Sequence, residues 1–485
     1  MHPARDSSTS KIYKCVHNER GEFELSYDKL ILFYGGGSMK KQLSILLTLA
    51  LLLSLFVPMG DANAAKKAKL NLKGEGKVLN IYCNNDEFPK YMVKYYPEYK
   101  AKDIYDYSKG GKIGNIKVKF TIIPSTDKAY QEELDKKLPK NKKVSANKRI
   151  DMFIVSSDFT EQYVNSSYTL PLTSIGVKSS VFKNQYDYTK EAVKDKSGKI
   201  KGSAWQLYSG GLIYNRKVAK KVLGTDSPSK VQKYVKNWST YKKTAAKMAK
   251  AGIKMTATPY DSFRAYTQSD TWVKNGKATF GKGAKKWAED SRALYIGKQT
   301  EMADLWSDTW MEGFKNNKVF CYFGPLWFVN YTVGPYSSES VLKTGWGVVK
   351  GPQAFFWGGN WMCVANGTDN KKLCADIISK LSGDSDVMKD GALAFNELPN
   401  NKAAVKSLAK NSSLNNEILK NQNPSLIFSA NASKVKVGKR SVYDYELSNT
   451  FAGAMTHYIK GEISYSEAVK LYYDYAKRVD ESLVD

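Results

Sequence analysis

Histidine is nearly absent from this sequence, which has three in 485 residues and only His457 beyond residue 64. A single histidine excludes most Ser-His and Cys-His nucleophile arrangements and most metal sites that use imidazole. The sequence also lacks a G-x-S-x-G motif and a phosphate-cradling glycine loop. We therefore predict a protein that is not an enzyme and that has no catalytic residue, no metal site and no cofactor.

Cysteine is scarce as well. The four cysteines beyond residue 64 form no C-x-x-C pair, which argues against a thiolate zinc site; they are Cys83, Cys321, Cys363 and Cys374. Buried free thiols are the interpretation we favour, and the sequence assigns no disulfide among them. No cysteine ends the N-terminal apolar run, where a bacterial lipoprotein carries its lipidated residue.

A long apolar run occurs once, over residues 43–57. Lys40 and Lys41 precede it and Ala62-Asn63-Ala64 follows it, in the order of a secretory signal: basic start, apolar stretch, small-residue cleavage site. The run is shorter than the roughly 20 residues of a membrane-spanning helix. We predict a signal peptide over residues 39–64, cleaved after Ala64, and an extracellular or cell-surface protein.

Residues 1–38 precede this signal. They have neither the features of a secretory signal nor a regular spacing of apolar residues. Three glycines at positions 35–37 lie just ahead of Met39. A purine-rich ribosome-binding sequence in the messenger RNA gives such a glycine run when it is translated by mistake. We predict that translation starts at Met39 and that residues 1–38 are an upstream extension produced by a misplaced start.

Acidic residues are too few to balance the basic ones, because 75 Lys and Arg face 47 Asp and Glu for a net charge of +28. Residues 1–64 hold seven basic and six acidic residues, so +27 belongs to the remainder. The lysines are spread along the chain without a zinc-finger or RNP pattern, and export argues against nucleic acid. We expect an anionic cell envelope as the counter-charge, with an attraction that weakens as salt rises.

Short apolar segments alternate with helical periodicity after residue 77. Residues 78–83 and 150–155 are typical of buried strands, and residues 116–122 alternate as a half-buried strand does before a helical spacing at 130–138. This order predicts a parallel sheet covered on both faces, in an α/β fold. Further strands are predicted at 212–214, 319–323 and 361–365, with helices at 239–252 and at 468–479 behind a Ser464–Glu467 capping box.

Six pieces of the sequence follow one another in a recognisable order. They are LNIYCNNDEF (79–88), DMFIVSSDFTEQY (151–163), GLIYNRK (211–217), WSTYKKTAAKMAKAG (238–252), FKNNKVFCYFGPLW (314–327) and GGNWMCVAN (358–366). In this order they resemble the extracellular sugar-binding receptors of bacterial ABC importers, the broad family that includes maltose-binding protein. The resemblance runs through most of the chain after residue 77.

That resemblance implies a periplasmic-binding-protein-like fold. Two α/β lobes, each with a central sheet flanked by helices, are joined by crossing segments and close over a ligand by hinge bending. Lobe one would take residues 78–205 and 354–412, and lobe two would take 206–353 and 413–485, after a basic lead at 65–77. These bounds rest on the resemblance, because the composition shows no linker.

Polar side chains follow two of the predicted strands. In open α/β sheets ligands bind beyond the carboxyl ends of strands, and the residues there are Asn84, Asn85, Asp86, Glu87, Ser157 and Asp158. Carboxylates and amides make the hydrogen bonds that sugar hydroxyls need. We predict that these six residues bind ligand; the alternative is that they cap the helices that follow.

Aromatic side chains occupy the segments that match binding segments of the family. They are Trp205, Tyr208, Trp327, Trp357 and Trp361. The C–H faces of sugar rings pack on such planes, and Trp327 and Trp361 are the strongest candidates, with core packing as the alternative for each. Asn360 joins the set because Gly358 and Gly359 place it in a turn where backbone can approach a ligand or simply form a loop.

The sequence thus predicts a monomeric receptor that captures a sugar or oligosaccharide in an interlobe cleft and delivers it to the permease subunits of an ABC importer. A secreted glycan-active enzyme is one alternative, because Asp86, Glu87 and Asp158 could supply the two carboxylates of glycoside hydrolysis. A basic adhesin that binds the cell envelope directly is another.

Overall fold

The computed structural model describes residues 70–125 and 128–484. The predicted signal peptide and the upstream extension lie outside these residues. Within them, no helix combines the length and the apolar character that a membrane crossing requires.

Twelve β-strands form in the described part of the chain. Seven belong to one sheet, three to a second sheet and two to a small hairpin. The strands are β1 (Val78–Cys83), β2 (Tyr99–Ala101), β3 (Gly111–Ile113), β4 (Ile116–Ile122), β5 (Met152–Ser156), β6 (Gly202–Ser203), β7 (Gly211–Asn215), β8 (Val273–Lys274), β9 (Lys277–Ala278), β10 (Cys321–Gly324), β11 (Trp346–Val349) and β12 (Asn360–Val364).

Nineteen α-helices accompany them in the same residues. They are α1 (Glu87–Tyr95), α2 (Ala129–Lys137), α3 (Thr160–Val164), α4 (Asp187–Glu191), α5 (Arg216–Leu223), α6 (Pro228–Tyr234), α7 (Trp238–Lys250), α8 (Tyr260–Thr267), α9 (Lys282–Ile296), α10 (Asp308–Lys315), α11 (Leu326–Phe328), α12 (Gly334–Tyr336), α13 (Glu339–Thr344), α14 (Lys371–Gly383), α15 (Ser385–Phe395), α16 (Lys402–Leu408), α17 (Ser425–Ala432), α18 (Asp444–Lys460) and α19 (Tyr465–Val479). Between α11 and α12 the backbone forms a π-helical turn at Val329–Val333.

The first sheet has the strand order β2-β3-β4-β1-β5-β12-β6. Its centre is parallel, as the strand–helix order predicts, because β1 pairs parallel with both β4 and β5. β12 returns late in the chain and pairs antiparallel with β5 and with β6. Helices α1 and α14 cover one face of this sheet, and α2 covers the other.

The second sheet, in the order β10-β7-β11, is antiparallel throughout. The parallel pattern predicted from the first half of the chain does not extend to it. β7 receives its two partners from strands that arrive after long helical insertions, and strand–helix alternation alone does not determine their direction.

Two hydrophobic layers cover the second sheet, one on each face. Leu212 and Tyr214 of β7 join the layer that contains the inner faces of α5, α6 and α7, whereas Ile213 joins the opposite layer. Successive side chains of a strand alternate between faces. A strand buried on both sides therefore has an unbroken apolar sequence, as β7 does.

The four cysteines predicted to be buried free thiols are free and buried. Burial raises the pKa of each thiol above its usual value. Thiols in this state behave as small apolar side chains.

The chain passes between the sheets more than once. It leaves the first sheet after β6, builds the second sheet and returns at β12. Ala392 of α15 and Val405 of α16 then enter the core beneath the second sheet, and α18 and α19 pack against α8 and α9. This discontinuous path produces the two-sheet α/β architecture expected from the resemblance.

Candidate functional site

Three neighbouring strands of the first sheet bring polar residues to one edge. Asn84 follows β1, Ser156 ends β5, and Asn360 at the start of β12 is paired in register with Ser156. Because β12 runs antiparallel to β5, its beginning lies where β1 and β5 end. Asn84 and Asn360 therefore meet although 276 positions separate them.

Asn360 links the polar residues at this edge. Asn84 Nδ2 donates to Asn360 Oδ1 at 3.3 Å, and Asn360 Nδ2 donates to Glu87 Oε2 at 3.0 Å. Glu87 is the first residue of α1, where a carboxylate is favoured by the helix dipole. All three side chains are partly buried, so they form a row of two amides and one carboxylate in reach of a solute.

Tyr208 packs beside this row. Its ring lies close to Gly359, where an added Cβ would approach it to 2.5 Å. The Oδ1 of Asn84 is buried and has no hydrogen-bond partner among the described residues. Buried polar atoms are nearly always paired. This oxygen therefore has hydrogen-bonding capacity that the rest of the described chain does not use.

A second carboxylate, that of Glu397, comes from the loop after α15. Glu397 is 4% exposed and accepts a hydrogen bond from Asn330 Nδ2 at 3.3 Å. Asn330 lies on the π-helical turn and is held by Asn416, whose Nδ2 donates to Asn330 Oδ1 at 2.8 Å. Such turns are frequent at functional sites. The polar cluster, as we call it, consists of Asn84, Glu87, Tyr208, Asn360 and Glu397.

Burial governs the charge of the polar cluster. It raises the pKa of Glu87, although hydrogen bonds from Asn360 and Gln206 oppose the effect. It raises the pKa of Glu397 well above its usual value, and the charge of Glu87 adds to this increase. Two carboxyls in such proximity resist simultaneous ionisation. The pair can therefore present accepting oxygens and, where one carboxyl is protonated, a donor.

Trp327 on α11 and Trp357 lie together beside the glycine turn. Their ring centroids are 5.1 Å apart, and Trp327 Nε1 donates to the Trp357 carbonyl at 3.2 Å. Both side chains are partly buried, and a Cβ added to Gly358 would meet the Trp327 ring at 3.6 Å. An aromatic surface thus adjoins the turn that carries Asn360 into the polar cluster.

Trp306 supports this aromatic surface in a strained conformation. Its ring centroid lies 5.7 Å from that of Trp357 and 5.1 Å from that of Trp310. Its φ of 69° is in the left-handed region, which costs an L residue about 1–2 kcal/mol. Strain of this kind clusters at binding sites, where the surrounding packing maintains it.

Two arginines from outside the first sheet reach the residues after β5. Arg264 of α8 lies 5.4 Å over the Trp357 ring and 3.7 Å from an Asp158 carboxylate oxygen. Arg440, in the segment before α18, donates to the Ser157 carbonyl at 2.7 Å. Ser157 and Asp158 are therefore contact points between separate parts of the chain, and a cation already accompanies the Asp158 carboxylate.

Asn85 and Asp86 have local partners at the start of α1. Asn85 Oδ1 accepts a hydrogen bond from the Glu87 N–H at 3.0 Å, and Asp86 forms an ion pair with Lys90 at 2.6 Å. The Asp86 side chain is half-exposed. A local i,i+2 hydrogen bond ahead of the helix accounts for Asn85, and an i,i+4 ion pair accounts for Asp86.

Trp205 and Trp361 are packed in hydrophobic clusters beside the first sheet. Both are fully buried; Trp205 packs 5.5 Å from the Phe88 ring, and Trp361 Nε1 donates to the Thr189 carbonyl at 2.9 Å. Neither ring presents a free face to a solute in this conformation. Core packing, the alternative stated for each aromatic residue, describes their surroundings.

Glu397, Asn330 and the two arginines were not among the residues predicted from the sequence. Glu397 lies in a loop, and Asn330 lies within an otherwise apolar stretch, so neither follows a predicted strand. The available signal was the polar pair Asn396-Glu397 between an apolar helix and Leu398-Pro399. A glutamate is rarely buried unless it is paired or has a function, and Glu397 is buried.

Replacing Gly359 by alanine is expected to destabilise the protein, because Gly359 lies against the Tyr208 ring. Its φ of 116° is rarely adopted by L side chains, and the new Cβ would lie 2.5 Å from the Tyr208 ring. We expect urea denaturation to show a loss of about 3 kcal/mol in unfolding free energy. Gly224→Ala is the matched control, because φ is 72° there and the added Cβ has nothing within 4 Å. It should lose about 1 kcal/mol; equal losses would mean that Tyr208 moves aside.

The chain matches one protein-family model over residues 106–416, and that family is described as bacterial extracellular solute-binding protein. No curated protein sequence matches the chain at a significant level.

Several solved structures share the fold. A structure described as an extracellular solute-binding protein of family 1 is 17% identical, with a TM-score of 0.67 over 83% of this chain and 99% of that one. The sugar-binding protein MalE from Xanthomonas citri is 14% identical, with a TM-score of 0.64 over 84% and 97% of the two chains. An ABC transporter associated binding protein from B. animalis subsp. lactis Bl-04, in complex with beta-1,6-galactobiose, is 18% identical, with a TM-score of 0.58 over 83% and 98%.

Proposed function

The chain belongs to the bacterial extracellular solute-binding proteins, the receptors of ABC transporters, and from this premise we propose that its solute is a carbohydrate. The sugar or oligosaccharide would lie in the polar cluster and against Trp327 and Trp357. Two of the similar structures support this choice, since one is named a sugar-binding protein and the other holds a galactobiose.

The observation that carries the proposal is that the polar cluster lies next to Trp327 and Trp357, on the two sides of the turn at Gly358 and Gly359. Amide and carboxylate groups bind hydroxyl groups through planar, directional hydrogen bonds, and those to a charged acceptor are the stronger ones. Aromatic rings bury the apolar C–H face of a pyranose. A site that pairs a few polar groups with an aromatic surface suits a molecule with both kinds of face.

We further propose how the receptor works. The two lobes, 78–205 with 354–412 and 206–353 with 413–485, would close on the sugar by hinge bending, with Arg264 and Arg440 meeting Asp158 and Ser157 in the closed form. As a monomer, exported by the signal peptide at 39–64, it would then deliver the sugar to the permease subunits.

Glycan cleavage does not fit the carboxylates that the sequence suggested for it. Asp86 is paired with Lys90 and Asp158 with Arg264, so two of the three candidates already have a cation beside them. The chain belongs to a family of receptors rather than enzymes. Glu87 then needs only to accept hydrogen bonds from hydroxyl groups.

A thermal-shift screen of mono- and oligosaccharides tests the proposal. A ligand present at 100 times its Kd adds about 2.7 kcal/mol of stability, which is readily detected. Trp327→Ala should remove the shift given by the active sugar, while its melting without sugar stays cooperative. A complete set of neutral sugars without effect would contradict the proposal, as would sustained release of reducing ends from an oligosaccharide.

A further inference from the structure

One short stretch of the chain carries a disproportionate share of its positive charge. Residues 216–254 contain twelve Lys and Arg and a single acidic residue, Asp226. This stretch holds a net +11 of the total +28 in 39 of the 485 residues. Elsewhere the basic and acidic residues are much closer to balance.

Three consecutive helices, α5, α6 and α7, place this charge on one layer of the molecule. Their apolar residues enter the same core beneath the second sheet, among them Val218 of α5, Val231 of α6 and Met248 of α7. Tyr234 joins the helices, since its hydroxyl donates to the Leu223 carbonyl at 3.4 Å. Because the apolar side of each helix packs on the same core, the opposite sides of the three helices face outward together.

Nine lysines occupy that outer surface. Each is exposed, and none has an ion pair with another described residue; they are Lys217, Lys220, Lys221, Lys230, Lys233, Lys236, Lys243, Lys247 and Lys250. The same stretch contains two lysines that do have acidic partners, Lys242 with Asp290 and Lys254 with Glu301. We call the nine the lysine face.

The arrangement of the lysine face is unfavourable for the isolated protein. Lys217 and Lys221 are four positions apart on α5, as are Lys243 and Lys247 on α7. Like charges at this spacing destabilise a helix. Lysines in the last turn of each of the three helices favour the helix dipole, so the unfavourable part is the repulsion among the lysines themselves. An external anionic surface would offset that repulsion.

We propose that the lysine face rests on an anionic phospholipid surface and holds the receptor beside the membrane. Lysine is a compact, hydrated charge without the directional fork of arginine, which suits attraction to many phosphates rather than recognition of one. Among the described residues, no large exposed apolar side chain lies within 216–254. The helices therefore lie on the headgroups without insertion, and each lysine near the surface strengthens binding.

Vesicle flotation of the protein as it exists after the predicted cleavage, from residue 65 to residue 485, tests this assignment. Vesicles of phosphatidylcholine and phosphatidylglycerol in equal parts should retain the protein at low salt, and vesicles of phosphatidylcholine alone should not. Retention should fall steeply toward physiological salt, where charges more than about 8 Å apart are screened. A variant with Lys220, Lys221, Lys233 and Lys243 changed to glutamine should lose partitioning by on the order of a thousandfold.

The matched control changes the same number of charges on another surface. Lys100, Lys112, Lys117 and Lys119 are exposed on the sheet edge formed by β2, β3 and β4, and their change to glutamine should leave most of the retention. Equal losses in the two variants would show that net charge alone attracts the protein, and would overturn the lysine face as a docking surface.

A further comparison separates lipid from polymer. If soluble inorganic polyphosphate binds the protein while the anionic vesicles do not, the partner is a phosphate polymer and the proposal fails. Sugar binding, measured in parallel by thermal shift, should be the same in both variants and in the unchanged protein. A failure of the lipid experiment is thereby distinguished from a failure of the carbohydrate proposal.

Discussion

Glu87→Ala is expected to weaken the binding of the active sugar by at least a hundredfold while the protein stays folded. The change removes the carboxylate of the polar cluster and leaves Asn360 Nδ2, which donates to it at 3.0 Å, without its acceptor. Losing a charged hydrogen bond and leaving its partner unpaired costs about 3 kcal/mol or more, which corresponds to the stated factor. Isothermal titration calorimetry with the sugar found by screening measures the change.

The adjacent residue supplies the control. Asp86 has the same charge and differs by one methylene, but it is half-exposed and paired with Lys90. Asp86→Ala removes only a surface ion pair, worth about 0.5 kcal/mol of stability, and should bind the sugar as the unchanged protein does. If both variants bind normally, the polar cluster is not the binding site. If both lose binding equally, the segment acts through its overall charge.

Glu397→Gln is expected to make the protein more stable at neutral and alkaline pH and to leave its stability near pH 4 unchanged. Burial and the charge of Glu87 raise the pKa of Glu397 in the folded state, whereas an unfolded glutamate titrates near 4.3. Between these two pKa values the folded state holds the extra proton. Stability therefore falls as pH rises through that window, by about 1.4 kcal/mol for each pH unit. Glutamine has no proton to lose and keeps an oxygen for Asn330.

Urea denaturation at a series of pH values measures this effect as the difference between the variant and the unchanged protein. Taking the difference matters because other carboxyls contribute to the same trend; burial raises the pKa of Asp261 to about 7 and that of Asp151 to about 6. Glu417→Gln, at an exposed position, is the control for the loss of one carboxylate. Parallel curves for Glu397→Gln and the unchanged protein would mean that Glu397 is ionised when the protein is folded.

The architecture was predictable from the sequence to a useful extent. The period-2 and period-3.6 patterns indicate β1, β4, β5 and the helices between them, and the ordered pieces indicate the family. The direction of β12 was not predictable, because its residues are buried on both faces after the first one. A strand without alternation reveals neither its partner nor its orientation.

The pleat of β12 separates two of the predicted binding residues, Asn360 and Trp361. Trp361 follows Asn360 directly, and successive residues of a strand point to opposite faces, so only one of them can face the polar cluster. Asn360 does so, and Trp361 enters the core. Glu397 was missed for another reason. Its hydrogen-bond partner Asn330 is 67 positions away and Glu87 is farther still, and no local sequence pattern records such contacts.

The late return of β12 also determines the order in which the molecule can fold. β12 occupies the place between β5 and β6, yet about 200 residues of chain separate it from its β5 partner. Loop closure over such a distance is slow, and the contacts that reward it form last. The first sheet therefore stays incomplete until residue 364 has left the ribosome. A chain that cannot finish its first sheet early remains unfolded for longer.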